Sequence, residues 1–302
     1  MSWGPLCAFG SSITWAIGSS GYSKLTRNHS AVSVNFTRAL IALPLFILAT
    51  FVLAGGWHGG LASFSEIHLS HLGWFTLSMI GSYGLGDILF LWAALEIGIP
   101  AALALASTFP LWTAIAGSVL EGQRLGLLQG VGLVIAVFGV ALVILSRTSG
   151  TGSSARKTSV GKGVLLAIAA SFLWALNGYA VARGGRDLPV VVGSALRMVL
   201  ALAMTGTMGV FFSNGEGLPL PFKETLRSSW FFVLEAFVGS ALYFYGMVHS
   251  PLAIASTLSS LAPVLSVPVA LILGLEKFSG VRTAGVCAVV SGLALLMGTF
   301  PA

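Results

Sequence analysis

Hydrophobic residues fall into ten long runs along the chain, separated by short polar or glycine-rich breaks. A run of about 20 residues is long enough, at a rise of about 1.5 Å per residue, for a helix to cross a hydrocarbon core of about 30 Å. The pattern therefore predicts ten transmembrane helices. Their predicted ranges are 4–23, 32–54, 72–95, 99–119, 126–146, 161–182, 190–212, 229–248, 251–273 and 281–299.

The second half of the chain repeats the first. At an offset of 159 positions, Trp15 corresponds to Trp174 and Arg38 to Arg197. At an offset of 153 positions the later matches are Pro110 with Pro263, Gly132 with Gly285 and Gly139 with Gly292. Each half contains five predicted helices, which is an odd number. A duplicated fold must then place its halves in opposite orientations, so the sequence predicts an inverted repeat.

The composition excludes a soluble fold. Charged residues make up 8% of the 302-residue chain and hydrophobic residues 56%, whereas a soluble domain is about 25% charged. The net charge of +6 comes from loop residues and not from a basic cluster, so no nucleic-acid partner is expected. We expect an all-α membrane protein with a first five-helix repeat at 1–146, a flexible basic linker at 147–160 and a second five-helix repeat at 161–302.

The order of motifs in each half resembles the EamA-type drug/metabolite transporter superfamily. The motifs are an early tryptophan, an arginine in the second helix, an alanine-rich helix with a proline, a turn such as Glu121-x-x-Arg124, and a glycine pair. The resemblance covers nearly the whole chain, twice. It implies ten-helix carriers of small metabolites, including exporters of amino acids and of aromatic amino acids.

Two functional classes follow from these observations. The first is a secondary active exporter of small metabolites, with apolar or aromatic amino acids as expected substrates and alternating access of two inverted repeats as the mechanism. The alternative is a lipid flippase or scramblase built on the same fold. The sequence is compatible with a monomer or a homodimer in the cell membrane.

Loop charges and family resemblance give opposite orientations. Loops on the side of the N-terminus carry three basic residues, Arg124, Arg183 and Arg186, and the loops of the other side carry ten. Because short basic loops resist translocation, the charge bias places both termini outside the cytoplasm. The resemblance implies cytoplasmic termini.

Four charged residues lie within the predicted helices: Arg38, Asp87, Arg197 and Glu235. Such groups are costly in lipid and usually face a bundle interior or a wet cavity. Asp87 is a candidate for binding a substrate ammonium group or carrying a coupling proton, the alternative being a structural partner of an arginine. Both arginines lie some six or seven residues into their helices, which favours a structural interfacial role, by snorkelling or by accepting a helix-end carboxylate. Glu235 lies in the second half, and the equivalent position in the first half is occupied by Ser82.

Aromatic residues supply the main candidates for substrate binding. Trp15 and Trp174 lie about eleven to twelve residues into their helices, near the midplane where carrier sites are found. A midplane indole needs a partner for its N–H, and the neighbouring polar residues Ser12, Ser171 and Asn177 suggest a polar cavity; core packing is the alternative. Further candidates are Asn177, Tyr83, Trp92 and Tyr243.

Prolines and glycines in the repeat predict bends and close contacts. Pro110 and Pro263 each remove a helix hydrogen bond and are candidate hinges, although static bends are equally compatible with the sequence. The glycine pairs at 132/139 and 285/292 predict close helix packing.

Other chemistries find little support. The motif from Gly84 to Asp87 spells the GxGD signature of intramembrane aspartyl proteases, but the other aspartate, Asp187, lies in a short loop. His58, His68 and His71 do not have a zinc-site spacing, and no nucleotide-binding Walker loop is present. We therefore expect no enzymatic activity, metal or cofactor.

Overall fold

The computed structural model describes residues 3–26, 28–97, 99–122, 126–148, 159–212, 217–262, 264–265 and 280–297. Within these ranges the chain forms helices and turns, with no β-strand. The helices are α1 (Gly4–Leu25), α2 (Ala31–Leu53), α3 (Trp57–Ser65), α4 (Leu69–Ile97), α5 (Ile99–Ala106), α6 (Phe109–Glu121), α7 (Leu127–Thr148), α8 (Val160–Gly184), α9 (Val190–Phe212), α10 (Phe222–Val248), α11 (Leu252–Ser259) and α12 (Gly280–Met297).

The all-α membrane fold predicted from the sequence is confirmed. Five of the described helices are long and apolar enough to cross a membrane, namely α2, α4, α8, α9 and α10, and shorter apolar stretches lie in α6, α7 and α12. The protein is therefore a multi-pass membrane protein. Residues 149–158 of the predicted linker, and residues 263 and 266–273 of the predicted ninth span, lie outside the described residues.

Three details differ from the predicted ranges. Helix α4 begins at Leu69 and α10 at Phe222, each earlier than predicted. The additional short helix α3 follows Gly55 and Gly56, whose positive φ angles of 75° and 119° reverse the chain. Its residue Trp57 is 67% exposed. An exposed aromatic on a short helix between two spans is typical of a membrane–water interface.

The predicted kink at Pro110 is a break between two helices. Helix α5 ends at Ala106, a turn follows, and α6 begins at Phe109 with Pro110 in its first turn. A proline costs little there, because the first amide groups of a helix have no intrahelical acceptor. Pro263, the equivalent residue, lies outside the described residues.

Helices contact one another in pairs that the repeat relates. Helix α2 packs against its equivalent α9, and α7 packs against its equivalent α12. Helix α4 packs against α8. Helix α10, the equivalent of α4, likewise packs against α1, the equivalent of α8. The glycine prediction is confirmed at the α7–α12 contact, where a Cβ atom on Gly139 would lie 2.7 Å from the carbonyl oxygen of Gly285.

Both α4 and α10 contain a π-helical segment, at Ile80–Gly84 and at Val233–Gly239. The offset of 153 places Ile80 on Val233, so the two segments are equivalent in the repeat. A π turn inserts an extra residue into a helix and is frequent at functional sites. Glycine brings the first segment close to α8: a Cβ atom on Gly81 would lie 2.5 Å from the carbonyl oxygen of Leu173.

Candidate functional site

A cavity of about 130 Å³ lies beside the two π segments and is lined from both halves of the chain. This is smaller than the roughly 300–1,000 Å³ of pockets that hold drug-sized ligands. Its charged lining residues are Arg38, Asp87, Arg197 and Glu235, and its larger aromatic ones are Trp15, Tyr83, Phe109, Trp174 and Tyr243.

Arg38 is the centre of a buried charge cluster. Ser30 caps α2 by accepting a hydrogen bond from the Ser33 backbone N–H at 3.1 Å, and two turns later Asn35 and Arg38 share one helix face. The guanidinium Nη1 of Arg38 donates to Asn35 Oδ1 at 2.8 Å and to Asp87 Oδ2 at 2.9 Å. Its Nη2 donates to both carboxylate oxygens of Glu235, at 3.1 and 2.9 Å. One cation from α2 thus joins two carboxylates from α4 and α10.

Aromatic rings enclose this cluster. The Arg38 guanidinium carbon lies 4.3 Å from the ring centres of Tyr22 and Tyr83 and 5.7 Å from that of Trp15. These distances are within the range of cation–π attraction, which strengthens when the cation is desolvated. Tyr22 also donates a hydrogen bond from its hydroxyl to Glu235 Oε2. The rings therefore fix both the guanidinium and one of its carboxylates.

The two repeat-related tryptophans meet in the cavity. Their ring centres are 6.2 Å apart with an interplanar angle of 88°, an edge-to-face arrangement. Trp174 donates from Nε1 to Asp87 Oδ1 at 3.1 Å. This hydrogen bond supplies the partner that a buried indole N–H requires, and it engages the Asp87 oxygen that Arg38 does not contact.

Arg197, the repeat equivalent of Arg38, has a different environment. Its hydrogen-bond partners in the described part of the chain are all neutral: Nε donates to Ser78 Oγ at 3.2 Å, Nη1 to Ser240 Oγ at 3.3 Å and Nη2 to Asn177 Oδ1 at 3.3 Å. Asn177 in turn donates from Nδ2 to the Tyr243 hydroxyl at 3.1 Å. The cavity thus contains one arginine that contacts carboxylates and one whose described hydrogen-bond partners are neutral.

Two buried polar atoms in this region have no hydrogen-bond partner among the described residues, Arg38 Nε and the Tyr83 hydroxyl. An unsatisfied buried group costs free energy that a bound polar ligand can recover. Both residues line the cavity.

The structure brings most of the sequence-predicted residues together. The cavity is lined by Trp15, Tyr83, Asp87, Trp174, Asn177, Tyr243 and the three predicted buried charges Arg38, Arg197 and Glu235. Trp92 is not among the lining residues and is 41% exposed, and Pro110 does not line the cavity either. The metal and cofactor predictions concern absences, and the structure adds nothing to them.

The expectation that the two arginines snorkel to the interface was wrong. Arg38 and Arg197 are each only 3% exposed. Both guanidinium groups donate hydrogen bonds to side chains of neighbouring helices, which holds them inside the bundle. For Arg38, two carboxylates offset the cost of removing the charge from water. The position of an arginine along a helix does not show on which side of the bundle its side chain lies.

Sequence reasoning missed Tyr22, Asn35 and Ser240. Tyr22 lies seven residues after Trp15, which places both on one face of α1, and this spacing was a usable signal. Ser240 is the repeat equivalent of Asp87 at the offset of 153. Asn35 gave no signal beyond its position one turn before Arg38.

Fold and cavity define the class of protein: a multi-pass helical membrane protein whose two repeats line one central polar cavity. The sequence profile of the EamA-like transporter family matches residues 2–145 and again 161–298. The chain therefore belongs to the EamA-like transporter family, and it is a two-repeat membrane transporter of small molecules. The predicted family membership is confirmed.

Comparisons with individual proteins add evidence for the fold alone. A solved structure titled "Crystal structure of protein" is similar to this chain with a TM-score of 0.77 at 20% sequence identity. The similarity covers 98% of this chain and 96% of the other. No match to a curated protein was found.

Proposed function

We propose that this transporter is a secondary active exporter of amino acids with apolar or aromatic side chains. The observation that carries the proposal is that indole rings and buried charges of both signs face one small cavity. A free amino acid offers a carboxylate, an ammonium group and a side chain, and each has a complementary feature there. The edge-to-face pair of Trp15 and Trp174 provides an apolar aromatic surface.

The proposed mechanism is alternating access of the two repeats about this cavity. Carrier sites lie where repeats meet, and discontinuous helices beside them provide positions that can change conformation. Here the discontinuities are the break between α5 and α6 and the π segments of α4 and α10. The sequence contains no Walker loop, so an ion or solute gradient is the proposed energy source.

Solute counterflow in proteoliposomes tests the function directly. Purified protein is reconstituted, the liposomes are loaded with one unlabelled amino acid at a time, and entry of the same labelled amino acid is followed. We expect accumulation for phenylalanine, tryptophan and leucine, and none in protein-free liposomes. Movement of labelled phospholipid between leaflets without amino acid counterflow would instead identify a lipid translocator and overturn the proposal.

Paired tryptophan variants connect the transport signal to the cavity. Trp174→Ala removes a ring that faces the cavity, whereas Trp92→Ala removes one that does not line it. An aromatic pair contributes about 0.5–1.5 kcal/mol, so Trp174→Ala should weaken apparent affinity for phenylalanine several-fold to about tenfold. Trp92→Ala should leave the affinity unchanged. Equal effects of the two variants would contradict the placement of the substrate beside Trp174.

A further inference from the structure

Arg197 is a buried cation that makes no hydrogen bond to a carboxylate among the described residues, although Glu235 interacts with it electrostatically. It is 3% exposed, and its three partners are the neutral oxygens of Ser78, Ser240 and Asn177. The donor–acceptor distances, 3.2–3.3 Å, are longer than the 2.7–2.9 Å typical of guanidinium–carboxylate hydrogen bonds. A buried guanidinium without an anion is costly, so the site favours an anionic partner.

The repeat identifies the position where that partner is absent. Arg38 and Arg197 are equivalent, and so are Asp87 and Ser240. Nη1 of Arg38 donates to the Asp87 carboxylate at 2.9 Å, and Nη1 of Arg197 donates to the Ser240 hydroxyl at 3.3 Å. The equivalent position beside the arginine thus holds a carboxylate in the first half and a hydroxyl in the second. A hydroxyl satisfies the hydrogen bond but leaves the positive charge.

We propose that Arg197, with Ser240 and Asn177, forms the binding site for the substrate's carboxylate group. All three residues line the cavity, so a ligand carboxylate can take the place that Asp87 takes beside Arg38. The planar guanidinium fork matches the two oxygens of a carboxylate. This inference rests on the proposed function, since it assigns one end of the amino acid to a residue.

The opposite end of the substrate has a matching surface. Asp87 and Glu235 both pair with Arg38, so two carboxylates contact one guanidinium at this end of the cavity. Arg197 contacts only neutral groups among the described residues. The cavity therefore presents opposite charges at two places, which is the pattern that complements a zwitterion and disfavours a ligand with only one charge.

The test separates the two ends of the ligand. Ligands are added to purified protein in detergent and the rise in melting temperature is titrated. The ligands are phenylalanine, phenylalanine amide, which lacks the carboxylate, 3-phenylpropionate, which lacks the ammonium group, and inorganic phosphate. Hydrogen bonds to a charged group are worth enough that wild-type protein should bind phenylalanine about 10- to 100-fold more tightly than its amide.

Two substitutions should remove the preference for phenylalanine over phenylalanine amide in different ways. Arg197→Gln removes the cation, so phenylalanine and its amide should bind with similar affinity and 3-phenylpropionate should no longer bind. Ser240→Asp places a carboxylate beside Arg197, as in the first half, and should also abolish the preference. Ser240→Asn adds similar volume without charge and should retain a preference for the acid. If Arg197→Gln does not fold, comparing Ser240→Asp with Ser240→Asn still tests the carboxylate site.

The outcomes distinguish this inference from the proposed function. If amino acids are transported but the amide binds as tightly as the acid in wild-type protein, the carboxylate site is wrong and the function stands. If 3-phenylpropionate binds in an Arg197-dependent way while no amino acid is transported, the carboxylate site stands and the amino acid proposal fails. Phosphate binding that exceeds carboxylate binding, or no response to either carboxylate, overturns the inference.

Discussion

Asp87 and Ser240 occupy equivalent positions in the two repeats, and only Asp87 supplies a negative charge to the arginine it contacts. Glu235 increases the difference, because it adds a second carboxylate to Arg38 where the equivalent residue is Ser82. A duplicated scaffold has therefore diverged into two electrostatically unlike surfaces around one cavity. We expect such a difference to favour a solute with unlike ends.

The first prediction concerns the order of stability among variants of the charge cluster. Arg38→Gln leaves two buried carboxylates without a cation, and loss of one member of a buried ion pair costs about 3–5 kcal/mol. Asp87→Asn costs less, because Arg38 keeps the Glu235 carboxylate at 2.9 Å. Thermal unfolding of purified variants in one detergent should therefore rank Arg38→Gln below Asp87→Asn. A reversed order would mean that the cluster is not held together by the shared cation.

The second prediction concerns the contact between α7 and α12. A Cβ atom on Gly139 would lie 2.7 Å from both the Gly285 oxygen and the Val289 nitrogen, and backbone atoms cannot move aside cheaply. Gly139→Ala should destabilise the protein by about 1–3 kcal/mol through overpacking. Gly130→Ala is the matched control in the same helix, because a Cβ atom there would meet no atom of another described helix within 4 Å. The stability of the Gly130→Ala variant should change by less than about 1 kcal/mol. A similar loss of stability in both variants would contradict close packing at Gly139.

The sequence was sufficient to predict the fold, the repeat and most of the cavity. Equivalent residues such as Trp15 and Trp174 lie near the middle of apolar runs, and two copies of one helix arrangement bring such positions together. Hydrophobic periodicity did not reveal the π segments, because a single wide turn leaves the run apolar. It also did not show that α5 and α6 are separate helices, since Pro110 fits a kink and a helix start equally well in sequence.

Pairing between side chains was the part that the sequence could not supply. Tyr22 and Glu235 are 213 residues apart, and their hydrogen bond depends on how α1 packs against α10. A Cβ atom on Gly18 would lie 2.7 Å from Glu235 Cγ, so a glycine on α1 makes room for that carboxylate. Such complementarity is evident only when both helices are in place.

The third prediction concerns orientation, which still rests on loop charges. In a background of Cys7→Ala and Cys287→Ala, single cysteines are introduced as Ser65→Cys or Gly161→Cys, both at exposed positions. By the ten-to-three bias of basic loop residues, Ser65 faces the outside and Gly161 the cytoplasm. An impermeant thiol reagent should label Ser65→Cys in intact cells and Gly161→Cys only after permeabilisation. The opposite pattern would establish the orientation that the family resemblance implies.

The last prediction is that the two carboxylates that share Arg38 bind the ammonium group of the substrate. Asp87 accepts hydrogen bonds from Arg38 on α2 and from the indole N–H of Trp174 on α8. Glu235 on α10 accepts from Arg38 and from the Tyr22 hydroxyl on α1. Of these partners only Arg38 is a cation, so an ammonium group beside the two carboxylates would supply a second positive charge.

This assignment predicts which variants lose affinity. Asp87→Asn removes one of the two carboxylates and leaves Arg38 paired with Glu235 alone, so the apparent affinity for phenylalanine in counterflow should be lower than in wild-type protein. Glu235→Gln should behave in the same way, since it leaves Arg38 paired with Asp87 alone. An Asp87→Asn protein that is less stable but transports with the wild-type affinity would restrict Asp87 to a structural role.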